Sequence, residues 1–327
     1  MNEKHMYLMI SILLSLVVPA LAVRLSQGIH PTVLIPTEPT ATTEQATTSA
    51  VPATTAKIWV LTSSGETVQM VLEEYLVGVI LAEMPTSYEP AALQAQATVA
   101  RTYALRRQAD ARHPNGAVCT DSTCCQAYIS TEEYLDGLGF PEDVRVARSA
   151  VAATRARVLT YENSLIEATY FHSSGGKTED AVAVWGTAYP YLQAVDSPGE
   201  EQWEHYSDTI CYTKAQLEEL TGRTLTGHPG GWIGWTTYTV GGGVDIMYFA
   251  GEPYHGTDLR RILNLNSTVF SMEPKGDGLS ITTYGKGHRV GMSQTGAQAM
   301  ALEGSTWQEI LAHYYPGTRI DKMEYVG

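Results

Sequence analysis

Glu83 is a carboxylate standing where a helix would be expected to bury a hydrocarbon. In the stretch 71–85, residues Leu72, Tyr75, Leu76, Val79 and Ile80 recur at three- and four-residue steps, and Glu83 is the next member of that series. Burial disfavours the charged carboxylate and raises its pKa, so an acid on such a face could hold a proton near neutral pH and donate it. Glu83 is therefore a candidate general acid. The alternative is that it turns outward at the helix end, because Pro85 forces the preceding residue out of helical geometry. A second charge occupies a similar place. On the helix expected over 90–111, Leu93, Ala97, Arg101 and Ala104 share one face, so Arg101 either points inward or snorkels from the edge of the stripe.

His113, Cys119, Cys124 and Cys125 form the next cluster, just after that second helix. Three thiols and one imidazole match a closed tetrahedral zinc site, which would be structural because four protein ligands leave no open position. The adjacent pair Cys124 and Cys125 is unlike a standard finger, and neighbouring cysteines cannot readily form a disulfide with each other. Free thiols beside an unrelated histidine are the plain alternative. A catalytic cysteine is the third option, and it would need a nearby base.

The chain has 327 residues with 44% hydrophobic content, enough for a real core in one large domain or two smaller ones. An uninterrupted apolar segment, 6–23, follows a short polar N-terminus and is long enough for a marginal membrane span. Ala20-Leu21-Ala22 resembles a signal cleavage site, but the apolar run exceeds the usual signal core, so an uncleaved anchor over 1–30 is the preferred reading. The protein would then be a single-pass membrane protein with its bulk outside the cytosol, or secreted if that segment is cleaved. Residues 31–56 are rich in Thr, Ala and Pro and cannot bury enough apolar surface to order, so they read as an exposed tether. The folded domain should span 57–327. A net charge of −14 with no basic patch argues against nucleic-acid or anionic-membrane surfaces.

Between these landmarks helices and strands mix without a regular β-α-β repeat, and the fold class expected is α+β. A hairpin over 58–61 and 67–71 precedes the Glu83 helix. Another helix is expected over 141–154, strands over 158–161 and 167–171, and a helix over 213–221. Near the C-terminus come a glycine-rich loop at 285–291, a helix over 294–302, a helix opened by a Ser305 to Gln308 capping box, and a closing strand over 319–326. The region 211–266 carries glycine-rich turns and no assignable chemistry.

Four ordered blocks resemble the SpoIID/LytB family of bacterial sporulation and cell-wall proteins. They are Glu74 to Pro85, Ala92 to Tyr103, Phe171 to Glu179 and Gly287 to Ala297, with His313 to Thr318 closing the pattern. The resemblance covers the chain from about Lys57 onward and is weakest over 211–266. It implies a membrane-anchored lytic transglycosylase that cleaves peptidoglycan glycan strands during engulfment of the forespore, with a cell-wall amidase of the engulfment machinery as partner. By the same resemblance Glu83 is the catalytic acid and His113, Cys119, Cys124 and Cys125 hold zinc, with Cys124 where His is more usual. Arg289 stands where Gly is usual and Thr295 where Tyr is common, which puts the loop's contacts with substrate in doubt.

A lytic transglycosylase needs one acid only, since the sugar's own C6 hydroxyl closes on C1, whereas hydrolysis by paired carboxylates needs a second. No second acid stands out near Glu83 in the sequence. In this reading Arg101 orients substrate or holds the Glu. Tyr170, His172, Ser173, Ser174 and Gly175 form a polar wall for N-acetyl groups, and His288, Gly291, Ser293 and Gln294 complete the cleft. For His172 and His288 the alternative is a structural histidine satisfied by backbone groups. Two rival functions stand beside this one. The first is a noncatalytic glycan-binding enhancer of a wall amidase. The second is a zinc-dependent hydrolase.

Overall fold

Residues 62–66 contain no apolar side chain and close a tight turn, in which the Thr62 N–H donates to Glu66 O at 2.9 Å. The flanking strands Lys57–Leu61 and Thr67–Val71 therefore pair antiparallel, with Val60 opposite Val68. In this computed structural model, residues 56–323 other than Leu138 and His205 are described. The expected anchor and tether lie outside them. Among the described residues no helix is long and apolar enough to cross a membrane.

Helix α1 (Leu72–Glu83) follows the hairpin directly. Its buried residues include Val77, Gly78 and Leu81 as well as the expected stripe, so it is enclosed on several sides rather than amphipathic. It ends at Glu83 because Met84, ahead of Pro85, has extended backbone (φ −136°, ψ 142°). Helix α2 (Pro90–Asp110) starts with proline at its first turn and stops at Ala111, which takes the left-handed conformation. Helices α3 (Thr131–Gly137) and α4 (Pro141–Ala153) come next. Helices α1, α2 and α4 share one core with Gln294–Leu302 and Trp307–Tyr314, built on Leu76, Ile80, Leu93, Val151, Ala297 and Ile310. The capping box of the last helix pairs Thr306 with Glu309, one residue later than expected, because Thr306 rather than Ser305 is the residue preceding the first helical turn.

The strands are short and group into small sheets of two or three. The strand expected over 167–171 reduces to Tyr170–Phe171, which pairs in parallel with Met292–Ser293. That bridge joins the middle of the chain to its C-terminal part. The closing strand is observed as Arg319–Lys322 against Arg157–Tyr161. The uninformative region 211–266 contributes to a second core of its own, with Leu217, Trp232, Phe249, Leu259, Phe270 and Ile281 between two three-stranded sheets. The mixture of helices and strands agrees with the α+β expectation.

Arg101 is inward and fully buried, but it does not meet Glu83. Its guanidinium pairs with Glu73, at 2.7 Å from Nη2 to Oε2 and 3.2 Å from Nε to Oε1, and donates to the carbonyls of Arg157 (3.1 Å) and Val151 (3.3 Å). Glu73 lies in the first turn of α1 and Glu83 at its last residue, so Arg101 sits at the far end of that helix. It ties α2 to α1 and to the end of α4.

Candidate active site

Gly78 decides how the acid is held. A Cβ there would stand 2.3 Å from Ile129 O and 2.4 Å from the Tyr128 ring, so only glycine lets the segment after the cysteines lie directly against α1. The crossing delivers the Ala127 N–H to Glu83 Oε1 at 2.7 Å. Tyr170, from the bridge strand, donates its hydroxyl to the same oxygen at 3.2 Å. Gln126 then joins two rings, accepting from Tyr170 OH at 3.1 Å and donating to Tyr75 OH at 2.9 Å.

Burial pushes the Glu83 carboxyl above its usual pKa, and this outweighs the opposing effect of the Ala127, Tyr170 and Gln294 donors. Its place at the C-terminal end of α1 acts in the same direction, since the helix dipole is negative there. Gln294 is 4% exposed and its Nε2 makes no hydrogen bond of full geometry, although its amide lies close enough to favour the carboxylate. Tyr170 is half-buried, and desolvation together with the nearby Glu83 pushes its hydroxyl far above the usual range, so it remains a donor.

Glu83 opens into a cleft of about 790 Å³ walled by Tyr103, Tyr170, Phe171, Trp185 and Tyr189, with Arg112, Lys286, His172, His288 and Gln294 supplying polar groups. A second carboxylate, Glu167, also lines it, which the sequence reading missed. Glu167 is clamped by Arg106 (Nε to Oε2 3.0 Å) and by a close contact with Arg107, whose guanidinium lies over the Tyr103 ring. No local pattern marks it, because both arginines come from α2, 60 or more residues earlier.

His288 is engaged by backbone groups. Its Nδ1 accepts from the Val290 N–H at 3.1 Å, and its ring also bonds the Tyr170 backbone. Burial, helped by nearby Arg260, pushes its pKa down to about 4, so it is a neutral structural histidine on the cleft wall. His172 lines the same wall, and its carbonyl accepts from the N–H and hydroxyl of Thr295.

Ser173, Ser174, Gly175 and Ser293 do not form the wall. Ser173, Ser174 and Ser293 are buried, and all four residues turn their donors onto one buried carboxylate, Glu200. Its Oε2 accepts from Ser173 Oγ (3.0 Å), the Ser174 N–H (2.8 Å), Ser174 Oγ (2.9 Å) and the Gly175 N–H (3.0 Å), while Oε1 accepts from Ser197 Oγ (2.8 Å) and from Ser293 Oγ. Gly291 is likewise set apart from the cleft: with φ at +85°, its Cα packs where a Cβ would stand 2.1 Å from Thr169 O. Arg289 takes the left-handed conformation (φ 68°) that glycine would favour, yet its buried guanidinium donates to Ser174 O, Lys177 O and Gly241 O and faces Glu179 at 3.6 Å.

His113, Cys119, Cys124 and Cys125 converge, with all four ligand atoms within 4.8 Å of one another. The His113 Nε2 to Sγ distances are 3.4 Å to Cys124 and 3.6 Å to Cys125. A tetrahedron with ordinary zinc bond lengths has an N to S edge of about 3.6 Å, so the donor set fits a closed zinc site. Cys124 and Cys125 also border the cleft.

Residues 62–161 match the family described as SpoIID, stage II sporulation protein. Stage II sporulation protein D of Bacillus subtilis (strain 168) is 38% identical, over 77% of this chain and 75% of that protein. The chain belongs to the SpoIID family. The SpoIID relative from Bacillus amyloliquefaciens is 36% identical over 80% of this chain and 78% of its own. A protein named amidase enhancer, from Bacillus subtilis (strain 168), is 28% identical over 75% of this chain but 40% of its own length. The SpoIID match takes in Glu83 and the four potential metal ligands, whereas Tyr170, His288 and Gln294 are brought to the acid from beyond it.

Proposed function

We propose that this protein is a peptidoglycan lytic transglycosylase of sporulation, with Glu83 as its single acid and base. One observation carries the reading: of the two carboxylates that line the cleft among the described residues, Glu83 is pushed toward the protonated form and Glu167 is held by two arginines. Hydrolysis with paired carboxylates would need a second free carboxylate, and a one-acid reaction does not.

Both the Ala127 and Tyr170 donors engage Oε1, so the transferable proton belongs on Oε2. Glu83 passes that proton to the glycosidic oxygen as the bond to C1 breaks. The resulting carboxylate takes the proton of the same sugar's C6 hydroxyl, whose oxygen closes on C1 to give a 1,6-anhydro end, and Glu83 is protonated again. The aromatic walls suit the apolar faces of sugar rings. Zinc, where it binds the four converging ligands, supplies no reacting water, because a full protein ligand set leaves no open position. Its role is to fix the segment that carries Gln126 and Ala127. The reading extends to a membrane-anchored, extracytoplasmic protein acting on glycan beside a cell-wall amidase.

The likeness to an amidase enhancer favours one rival, a module that binds glycan without cutting it. Purified protein and its Glu83→Gln variant are incubated with peptide-stripped glycan, and 1,6-anhydro products are measured by mass. Release by wild type and loss in the variant support the transglycosylase. Release by Glu83→Gln, or binding without release by wild type, refutes it.

A further inference from the structure

A second concavity lies at the C-terminal end of α1. It holds about 450 Å³, within the range of ligand sites, and is lined by Thr86, Ser87, Tyr134, Phe140 and Asp143 beside the end of α1. Glu83 borders both this groove and the main cleft. The groove is built rather than incidental, because Asp143 locks three chain segments together. Its carboxylate accepts from Thr86 Oγ1 on the turn after α1, from Tyr134 OH at 3.0 Å on α3, and from the Phe140 N–H at 3.1 Å at the start of α4. Beside this frame Phe140 is 69% exposed, the next most exposed large hydrophobic after Val240 among the described residues. Among the described residues no cationic side chain lines the groove. An aromatic face beside hydroxyls and a carboxylate acceptor suits a neutral, amphipathic ligand with its own hydroxyls, which is the chemistry of a sugar ring.

We propose that this groove holds sugar units of the same glycan strand, on the opposite side of the cut bond from the main cleft, with Phe140 stacked on a pyranose face. The inference rests on the reading of Glu83 as an acid acting on glycan. An acid that protonates an interior glycosidic bond must have sugars on both sides of it, and two concavities that both border Glu83 provide for both. The main cleft receives one side with its aromatic and cationic wall. The groove receives the other with Phe140, Ser87 and Tyr134.

The test uses the full chain carrying Glu83→Gln, so that binding is measured without cleavage, alone and combined with Phe140→Ala. Peptide-free oligomers of alternating N-acetylglucosamine and N-acetylmuramic acid, of increasing length, are titrated calorimetrically. Oligomers short enough for the main cleft should bind both proteins alike. Longer ones that reach the groove should bind about tenfold more weakly after Phe140→Ala, the size of one lost aromatic anchor. Phe140→Trp should restore the affinity, and an unchanged melting temperature shows that the exposed ring does not hold the fold. Equal affinity at every length overturns the inference and leaves Glu83's role intact, and a loss that is the same at every length also overturns it. Absence of glycan binding in all variants removes the proposed function, and this inference with it.

Discussion

Replacing Glu200 with Gln separates two uses of the Ser173 to Gly175 turn, a hub of the fold or a wall for substrate. The carboxylate accepts six hydrogen bonds, two of them from the backbone N–H groups of Ser174 and Gly175. Gln keeps the shape but offers one acceptor oxygen. If that oxygen faces Ser174 and Gly175, the amide nitrogen faces the hydroxyls of Ser197 and Ser293. Those hydroxyls must then reverse, although Ser293 Oγ already accepts from the Gly296 N–H at 3.2 Å. Hydrogen bonds to a charged acceptor contribute about 1 kcal/mol more than neutral ones, so with partial rearrangement the variant should lose roughly 3–5 kcal/mol. At 2–4 °C per kcal/mol for a domain of this size, the melting temperature should fall by roughly 10 °C. The assay is thermal denaturation followed by circular dichroism, alongside the KM for peptide-stripped glycan measured well below the transition. KM should stay within about twofold of wild type, since Glu200 and the hydroxyls it binds do not line the cleft. A melting temperature close to wild type with a strongly raised KM would refute the assignment and return these serines to the substrate.

Arg101→Met should destabilise by about 3–5 kcal/mol, because it removes the buried guanidinium that pairs with Glu73 and donates to the Val151 and Arg157 carbonyls, and should leave KM unchanged in the same two assays. Two cleft residues set opposite pH limits. Glu83, raised above 4.5, lends stability that is complete below that value and lost as pH rises through its folded pKa. Glu83→Gln should therefore melt higher than wild type at neutral pH, with the difference closing below pH 4.5, while wild-type turnover falls as that same pKa is passed. His288, lowered from 6.5 to about 4, contributes stability above 6.5 that is lost as pH falls through 4, so His288→Gln should flatten the acid side of a melting-temperature profile. Chelation should lower the melting temperature and quench no metal-bound nucleophile, and elemental analysis of protein purified with reductant should find about one zinc per chain.

The long helices were legible because local signals agree: Pro85 and Pro90 bracket the turn between α1 and α2, and Ala, Leu and Gln fill α2. Glu83 stood out because it breaks a pattern contained in one helix. The inward direction of Arg101 was readable on the same grounds, but its partner was not, since Glu73 lies 28 residues away on another helix. The Glu200 hub gave no warning in the sequence. Its partners Ser173 and Ser293 stand 27 and 93 residues from it, and long-range pairings such as the parallel bridge between Tyr170–Phe171 and Met292–Ser293 unite them. The second core was hidden for a related reason: strands of four to seven residues separated by glycine turns carry too little period to identify.

The run from Cys124 to Ala127 works as a ruler. Two thiols of the converging cluster are followed at once by an amide that bonds two tyrosines and then by the N–H that meets Glu83. One residue inserted after Cys125 would keep every ligand, both tyrosines and the acid, yet carry the N–H off its oxygen. Among related chains, the distance in residues from the second thiol to this donor should therefore vary less than the identity of the single residue in between, and length rather than composition should separate working copies from failed ones.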